Sequence, residues 1–278
     1  MADWAIRVPA SSANLGPGFD VLGMALALHA EFRVGDHDRG GRLVDEHHPA
    51  SVAFRRLGGT GALWVRSPIP VGRGLGFSGA MRVGGAAAAV VQCHGADALD
   101  DSEQRASIQA VTSELEGHAD NVGASLHGGV IIAAGETVTQ VPLGFDPAIV
   151  VWIPDVTTST DQSRTRLPET VSRTDAVFNL GRVAMLVAAF ATGDVSSFRE
   201  ATADRLHQAV RLEQVPQSAT TMRIGLEAGA WATWLSGSGP TVAMMCASER
   251  AGEIAGGLPA SGHTKVLRID HQGARVTT

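Results

Sequence analysis

The sequence predicts a soluble α/β protein divided into two domains, and three observations carry that expectation. Strand-like apolar runs and helix-like segments alternate along the chain in mixed order. The composition shifts near residue 150, dividing the 278 residues into 1–150 and 151–278, each within the roughly 100–200 residues of an ordinary domain. A glycine-rich stretch, Pro68 to Ala80, feeds an alanine-rich run, Val83 to Val91, that reads as a buried helix packed through small side chains.

Taken in order, Ile6 to Val8 reads as a short strand entering a loop, Pro9 to Asp20, dense in turn formers and small polar residues. Val21 to Val34 returns to a strand-like pattern. After the polar stretch Gly35 to Pro49, a helical segment, Ser51 to Leu57, ends at Gly58-Gly59, and Leu63 to Val65 is a strand. Beyond the alanine-rich helix, Ser102 to Glu114 is a helix with Ser102 as its N-cap. It runs into Glu116-Gly117-His118-Ala119-Asp120-Asn121, then a short helix and the apolar strand Val130 to Ala134. Pro154 ends a strand from Val150 to Ile153, and the Thr/Ser-rich Val156 to Ser163 reads as a loop that binds something. Helices follow at Arg173 to Ala191 and Val195 to Leu206. Trp231 to Ser236 leads into Gly237-Ser238-Gly239-Pro240, strand Thr241 to Ala247, helix Glu249 to Ala255 and strand Val266 to Ile269. There is no internal repeat.

Composition excludes several classes. With 44% hydrophobic and 18% charged residues and a mean hydropathy of +0.08, the chain is neither disordered nor fibrous. Its longest uninterrupted apolar run, Val183 to Ala191, is about half of the ~18 residues a membrane span needs, and Met1 to Ala10 has no signal-peptide core. A cytoplasmic protein without membrane contact is expected. The net charge of -6 and pI near 5.9 give no basic surface for nucleic acid, which points to small-molecule partners. Cys93 and Cys246 stand far apart with no CxxC partner, so structural zinc and disulfides are not expected and both thiols read as buried and inert. Of 22 basic residues only Lys265 is lysine, near the C-terminus. A Walker A loop, which needs a lysine for the terminal phosphates, and the strand lysine of a protein kinase are therefore absent.

Gly74-Leu75-Gly76-Phe77-Ser78-Gly79 satisfies GxGxxG, and Asp97 lies at the distance of a ribose-binding carboxylate. A dinucleotide fingerprint should follow a buried parallel strand directly, and Pro68 and Pro70 stand there instead. What survives is the physics: glycines let backbone N–H groups approach an anion, and the following helix adds its positive end. A di- or triphosphate is the natural guest, with a purely structural tight turn as the alternative. Asn14, Asp20, Glu116, His118, Asp120, Asn121 and Arg164 are polar groups at element ends, and each taken singly reads as a cap or turn former. The histidines at 29, 94, 127, 207 and 263 read as structural or solvated, and His47-His48 is too short a cluster for zinc.

The loops together resemble the GHMP kinase superfamily, and within it the homoserine kinases most closely, over nearly the whole chain. Pro9-Ala-Ser-Ser-Ala-Asn-Leu-Gly-Pro-Gly-Phe-Asp20-Val-Leu-Gly resembles the first family motif, Pro70 to Ala80 its phosphate loop PxxxGLGSSAA, and Leu235-Ser-Gly-Ser-Gly-Pro-Thr-Val242 its C-terminal glycine motif. Glu116 to Val122, Ser159 to Arg164, Asp175 to Arg182 and Asp204 to Arg211 are similar to segments that separate homoserine kinases from the sugar and isoprenoid kinases. The resemblance implies an N-terminal ribosomal-S5-like domain, a C-terminal ferredoxin-like domain and an active site in the cleft between them. It implies ATP phosphates held by Pro70, Val71, Gly72, Arg73, Gly74, Leu75, Gly76, Phe77, Ser78, Gly79 and Ala80, and Mg2+ held by Ser78 and Glu116. Asn14, Asp20, His118, Asn121, Thr160, Arg164 and Arg211 would surround L-homoserine, with Asn121 and Arg164 the catalytic pair, and the resemblance leaves room for a homodimer. A zwitterionic substrate needs a carboxylate for its ammonium group and guanidinium forks for its carboxylate, which suits that division. In sister families the position of Asn121 is an aspartate that can serve as base, which an amide cannot.

The phosphate loop departs from the family pattern: Phe77 stands for the first serine, Gly79 for an alanine, and Met81 and Arg82 for small residues. Backbone N–H groups and Ser78 keep the means to bind phosphate and metal. Two other readings stay open at this point, a GHMP kinase acting on another small hydroxylated acid and a non-catalytic metabolite-binding member of the fold.

Overall fold

The computed structural model describes residues 4–35, 40–135, 137–158 and 160–277, without the side chains of residues 160–162. Strand β1 (Ala5–Asn14) and the 17-residue β2 (Gly18–Val34) form an antiparallel hairpin from which the first sheet is built. Against them lie β3 (Arg42–Leu43), β4 (Leu63–Arg66), β5 (Val130–Ala134), β6 (Thr137–Val141) and the C-terminal β11 (Arg275–Thr277), in the order β11-β1-β2-β4-β3 with β5 pairing both β2 and β6. Two helices, α2 (Phe77–His94) and α4 (Asp120–His127), lie on this sheet, and α1 (Pro49–Arg56) and α3 (Ser102–Glu116) pack against them. The small residues of α2 are what permit this packing. A Cβ on Gly85 would stand 2.0 Å from the Ala50 carbonyl oxygen of α1, and Ala86 to Ala89 are fully buried around it.

A second, four-stranded antiparallel sheet has the order β10-β7-β9-β8, from β7 (Ala148–Pro154), β8 (Ala232–Leu235), β9 (Val242–Cys246) and β10 (Gly262–Leu267). Successive side chains of a strand point to opposite faces. Ile149, Val151 and Ile153 of β7 accordingly join the central core, while Val150 and Trp152 join a smaller core with Ala251 and Ile254. The remaining helices are α5 (Thr160–Thr165), α6 (Arg173–Thr192), α7 (Phe198–Ala201), α8 (Gln208–Leu212), α9 (Pro216–Glu227) and α10 (Ala251–Gly256). By length and a mean hydropathy of 1.3, α6 meets the measure of a membrane span, and its Leu186, Ala189 and Phe190 are buried in the central core.

Several sequence expectations change. The first motif is not a loop from Pro9 onward: β1 continues through Ser11, Ser12 and Ala13, paired with Ala25, Met24 and Gly23, and only residues 15–17 turn. The helix cap is Asp101 rather than Ser102, its carboxylate accepting from the backbone of Glu103 and Gln104. Val195 to Leu206 is not one helix, because Asp204 takes the backbone N–H groups of Leu206, His207 and Gln208 and breaks the run. Residue 150 falls inside β7, and β11 returns to the first sheet. Cys246 is buried, but Cys93 is exposed at the end of α2.

Candidate active site

The hairpin turn, the glycine-rich loop and the turn between β8 and β9 are joined by direct hydrogen bonds. Ser11 N–H donates to the Leu75 carbonyl (3.2 Å) and Gly237 N–H to the Ala13 carbonyl (3.1 Å). Ser236 Oγ donates to the Gly74 carbonyl (2.6 Å), and Ser12 Oγ accepts from Trp234 Nε1 (2.9 Å). Gly76, at the N-terminus of α2, has φ 65°, and a Cβ there would lie 1.9 Å from Ser11 Oγ. Only glycine fits, which brings the first amides of α2 up to the hairpin. Thr158 fastens the segment after β7 by donating its N–H to the Gly72 carbonyl and its Oγ1 to the Gly239 carbonyl.

Between these segments lies a cavity of about 440 Å3. Asn14, Asp20, His118, Asn121, Arg164, Arg211, Ser78 and Glu116 all line it, together with Val71, Gly72, Arg73, Gly74, Gly76 and Phe77 of the glycine-rich loop. Pro70, Leu75, Gly79 and Ala80 do not: Leu75 and Ala80 point into the core, and Gly79 is packed against Asn121 and Val122. The Thr160 side chain lies outside the described residues. Asp120, Thr158, Gly237, Ser238 and Gly239 line the cavity in addition. Phe77, half-buried with its ring at 6.2 Å from that of His48, also lines a second cavity of about 480 Å3 bounded by Arg42, Asp45, His48 and Met81.

Asn14, Leu15 and Asp20 adopt positive φ of 71°, 49° and 58°, conformations uncommon outside glycine. The Asn14 side chain holds this geometry, its Oδ1 accepting from Asp20 N–H (3.1 Å) and its Nδ2 donating to the Gly237 carbonyl (3.0 Å). Asp20 in turn takes both terminal nitrogens of Arg164. Phe19 lies beneath two guanidiniums, with Arg164 at 5.5 Å and Arg211 at 5.2 Å from its ring centre.

Arg211 is buried, and its NH1 donates to His207 Nδ1 (3.1 Å) and to the Gly237 carbonyl (3.2 Å). With Nδ1 accepting, His207 carries its proton on Nε2 and donates it to the Gly16 carbonyl at 2.7 Å. Burial pushes the His207 pKa down despite the nearby Asp204 carboxylate, which agrees with that neutral tautomer. Burial and the charge of Arg164 lower the Arg211 pKa to about 10, and among the described residues its Nε has no hydrogen-bond partner. His207, read from sequence as an isolated histidine, therefore positions a site arginine, and Asn179 supports the same turn by donating to Asp204 (2.7 Å).

His118 Nδ1 meets Asp120 Oδ1 at 2.5 Å. Burial opposes protonation there, but the hydrogen bond and charge of Asp120, aided by Glu116, outweigh it and raise the His118 pKa. Asn121 Oδ1 accepts from Ser11 Oγ at 2.8 Å. Asp20, His118 and Asp120 bring ligand atoms within 4.8 Å of one another, but Arg164 already takes both Asp20 oxygens and the other two residues face each other. Ser78 Oγ and Glu116 Oε2 are 2.8 Å apart. Two ligands about 2.1 Å from one Mg2+ and at right angles lie about 3.0 Å apart, so this pair fits that ion. Arg82 Nε reaches the same carboxylate oxygen, a contact that sequence reading missed because Arg82 registered only as a departure from small residues.

The family model for the GHMP kinases N terminal domain matches residues 46–129, and that for the GHMP kinases C terminal region matches 186–263. The homoserine kinase of Gloeobacter violaceus is 41% identical over 261 residues, covering 85% of this chain and 85% of its own length. That of Moorella thermoacetica is 40% identical over 263 residues, covering 87% and 86%. The crystal structure of homoserine kinase from Cytophaga hutchinsonii superposes with a TM-score of 0.84 at 26% identity, over 100% of this chain and 98% of the other. Mevalonate kinase of Methanococcus jannaschii, at 14% identity and a TM-score of 0.68 over 95% and 98% of the two chains, shares the fold. The chain belongs to the GHMP kinases, in their homoserine kinase family.

Proposed function

We propose that the protein transfers the terminal phosphoryl group of ATP to the side-chain hydroxyl of L-homoserine, giving O-phospho-L-homoserine for threonine biosynthesis. The observation that carries this reading is the joining, in one cavity, of a backbone cradle for phosphate with charges of both signs suited to an amino-acid zwitterion. The N-terminus of α2 and the loop before it offer N–H groups and a positive helix end to the ATP phosphates. Asp20 takes the ammonium group, and Arg164 and Arg211, the latter with its Nε unpartnered among the described residues, take the carboxylate. Without substrate Asp20 and Arg164 answer each other, so a zwitterion can replace that pair and leave neither charge alone.

Ser78 and Glu116 would hold Mg2+, which when bound neutralises charge on the phosphate oxygens. Asn14 holds Asp20 in place. Asn121 carries no carboxylate to accept a proton, and His118 Nδ1 is taken up by Asp120. Asn121 and Arg164 therefore serve by aligning the hydroxyl and balancing charge, which suffices for phosphoryl transfer because its transition state is loose. A coupled ADP-release assay over hydroxylated amino acids, hydroxy acids and sugar alcohols tests this. L-homoserine should exceed every other acceptor at least tenfold in kcat/KM, and equal turnover of a sugar alcohol would overturn the reading.

A further inference from the structure

We propose that Arg82 keeps the Glu116 position closed to free divalent cations, so that the metal enters with the nucleotide and not ahead of it. The inference rests on the assignment of Ser78 and Glu116 to Mg2+. Ser78 and Arg82 stand four residues apart on α2, so their side chains leave the same face, toward the C-terminal end of α3. There both meet one atom. Glu116 Oε2 accepts from Ser78 Oγ at 2.8 Å and from Arg82 Nε at 2.5 Å.

The Arg82 and Glu116 side chains are only 19% and 11% exposed, so their attraction is screened far less than that of a surface pair. Ser78 and Glu116 line the cavity while Arg82 is not among the lining residues, so the guanidinium meets Oε2 from outside that lining. There it removes much of the negative charge that a lone cation would need. A free divalent ion at Glu116 would sit close to a guanidinium with one carboxylate between them. A nucleotide changes the balance, because phosphate oxygens then supply most of the charge and coordination that holds the ion. Arg82 acts through Glu116 and is a positioning residue, not a catalytic one.

The test is the affinity for Mn2+ alone, read from the electron paramagnetic resonance signal of unbound Mn2+, in the wild type, Arg82→Gln, Arg82→Ala, Arg82→Lys and Glu116→Gln. Each titration is repeated with saturating ADP. Arg82→Gln keeps most of the side chain's length, so the test survives if the alanine variant folds poorly. The charge-removing variants should bind Mn2+ at least tenfold more tightly than the wild type, a gain of about 1.4 kcal/mol. Arg82→Lys should return to within threefold of the wild type, and ADP should narrow the gap to less than threefold. A merely structural role would lower the melting temperature without tightening Mn2+ binding. Unchanged or weaker Mn2+ binding in Arg82→Gln, with the site abolished by Glu116→Gln, overturns the role of Arg82 and leaves the metal assignment standing. If Glu116→Gln leaves Mn2+ binding with ADP unaltered, the metal assignment fails, and this inference with it.

Discussion

Asp20 and Arg164 close a two-pronged ion pair across 144 residues of chain, with NH1 2.8 Å from Oδ2 and NH2 2.5 Å from Oδ1. Both side chains are about one third exposed, 32% for Asp20 and 34% for Arg164, so water and an incoming ligand can reach them. The pair sits at the strained start of β2, with Asp20 at φ 58° and its amide held by Asn14. A contact of this kind holds the two charges at a separation that a small zwitterion can bridge.

Asp20→Asn should therefore hurt L-homoserine far more than a des-amino analogue such as 4-hydroxybutyrate. Arg164→Ala and Arg211→Ala should hurt both, since both acceptors carry the carboxylate. Truncating one partner of a partly desolvated charge pair costs about 2–5 kcal/mol, mostly from the charge left unpaired. The check is kcat/KM for the two acceptors at saturating MgATP and fixed ionic strength. Equal proportional losses in Asp20→Asn would remove its ammonium-reading role. Lysine at either arginine position should rescue only in part, because a point charge cannot reproduce a fork.

Ser78→Ala and Glu116→Gln should each lower kcat and raise the Mg2+ concentration needed for half-maximal rate. Stabilisation of phosphoryl charge by a metal ion is worth several kcal/mol, so at least a tenfold fall in kcat is expected. Neither change should unfold the protein, but Glu116→Gln leaves Arg82 without its carboxylate and should lower the melting temperature more than Ser78→Ala does. A change smaller than threefold in both variants would contradict the assignment.

Phe77 separates the main cavity from the second cavity beside His48, and its ring is only half-buried. Phe77→Ser should accordingly change KM for ATP at least threefold while costing less than the roughly 3 kcal/mol of a large-to-small change in a full core. Thermal melting together with initial rates decides it. A loss of about 3 kcal/mol or more with KM unchanged would make the ring a core residue instead.

The helix α2 was legible because Val83 to Val91 is an unbroken run of small residues that suits a closely packed buried helix. The first motif was not. Ser11, Ser12 and Asn14 look like loop residues, yet they are buried in or beside a strand because their partners, Asn121, Trp234, Ser236 and Gly237, arrive from more than 100 residues away. The strands β6, with only Val138 and Val141 apolar, and β11, of three residues, carry no clear apolar signal, and pairing with β5 and β1 defines them. The site residues emerged through motifs. Their support did not: the four-residue spacing of His207 and Arg211 does not by itself show that the histidine positions the arginine, and Arg82 and Glu116 stand 34 residues apart.

The two cysteines should separate cleanly. Cys93 is exposed, its Sγ 3.7 Å from the Gly58 carbonyl, whereas Cys246 is buried on β9 and burial raises its thiol pKa. The thiolate is the reactive form, so a colorimetric disulfide reagent should titrate one thiol in the native protein and two in denaturant. Cys93→Ser should leave none in the native state. Two rapid thiols without denaturant would overturn this assignment of exposure.

The last stretch of chain is fastened to the first sheet by Asp270, and the clasp should show in the acid stability of the protein. Asp270 Oδ2 meets His29 Nε2 at 2.5 Å and Arg275 NH1 at 3.1 Å, while its Oδ1 accepts from the backbone of Gln272 and Gly273. Arg7 completes the cluster from β1, 3.0 Å from His29 Nδ1. Burial alone would raise the carboxyl pKa, but the His29 hydrogen bond, the Gly273 amide and the charge of Arg275 bring it down to about 2. An unfolded aspartate titrates at about 3.9, so below that value the unfolded state takes up the proton first. The stabilisation is thus complete above about pH 4 and is lost as pH falls toward 2, and roughly two pKa units correspond to about 2–3 kcal/mol. Asp270→Asn removes the titrating group while keeping an acceptor for the two backbone amides. Urea unfolding of both proteins between pH 6 and pH 2 should show the variant less stable by about 2 kcal/mol above pH 4, with the gap closing as the wild type becomes protonated. Other acids titrate in both proteins and cancel in the difference. A gap that stays constant across the whole range would mean that the clasp holds by shape and packing, and that its charge contributes nothing.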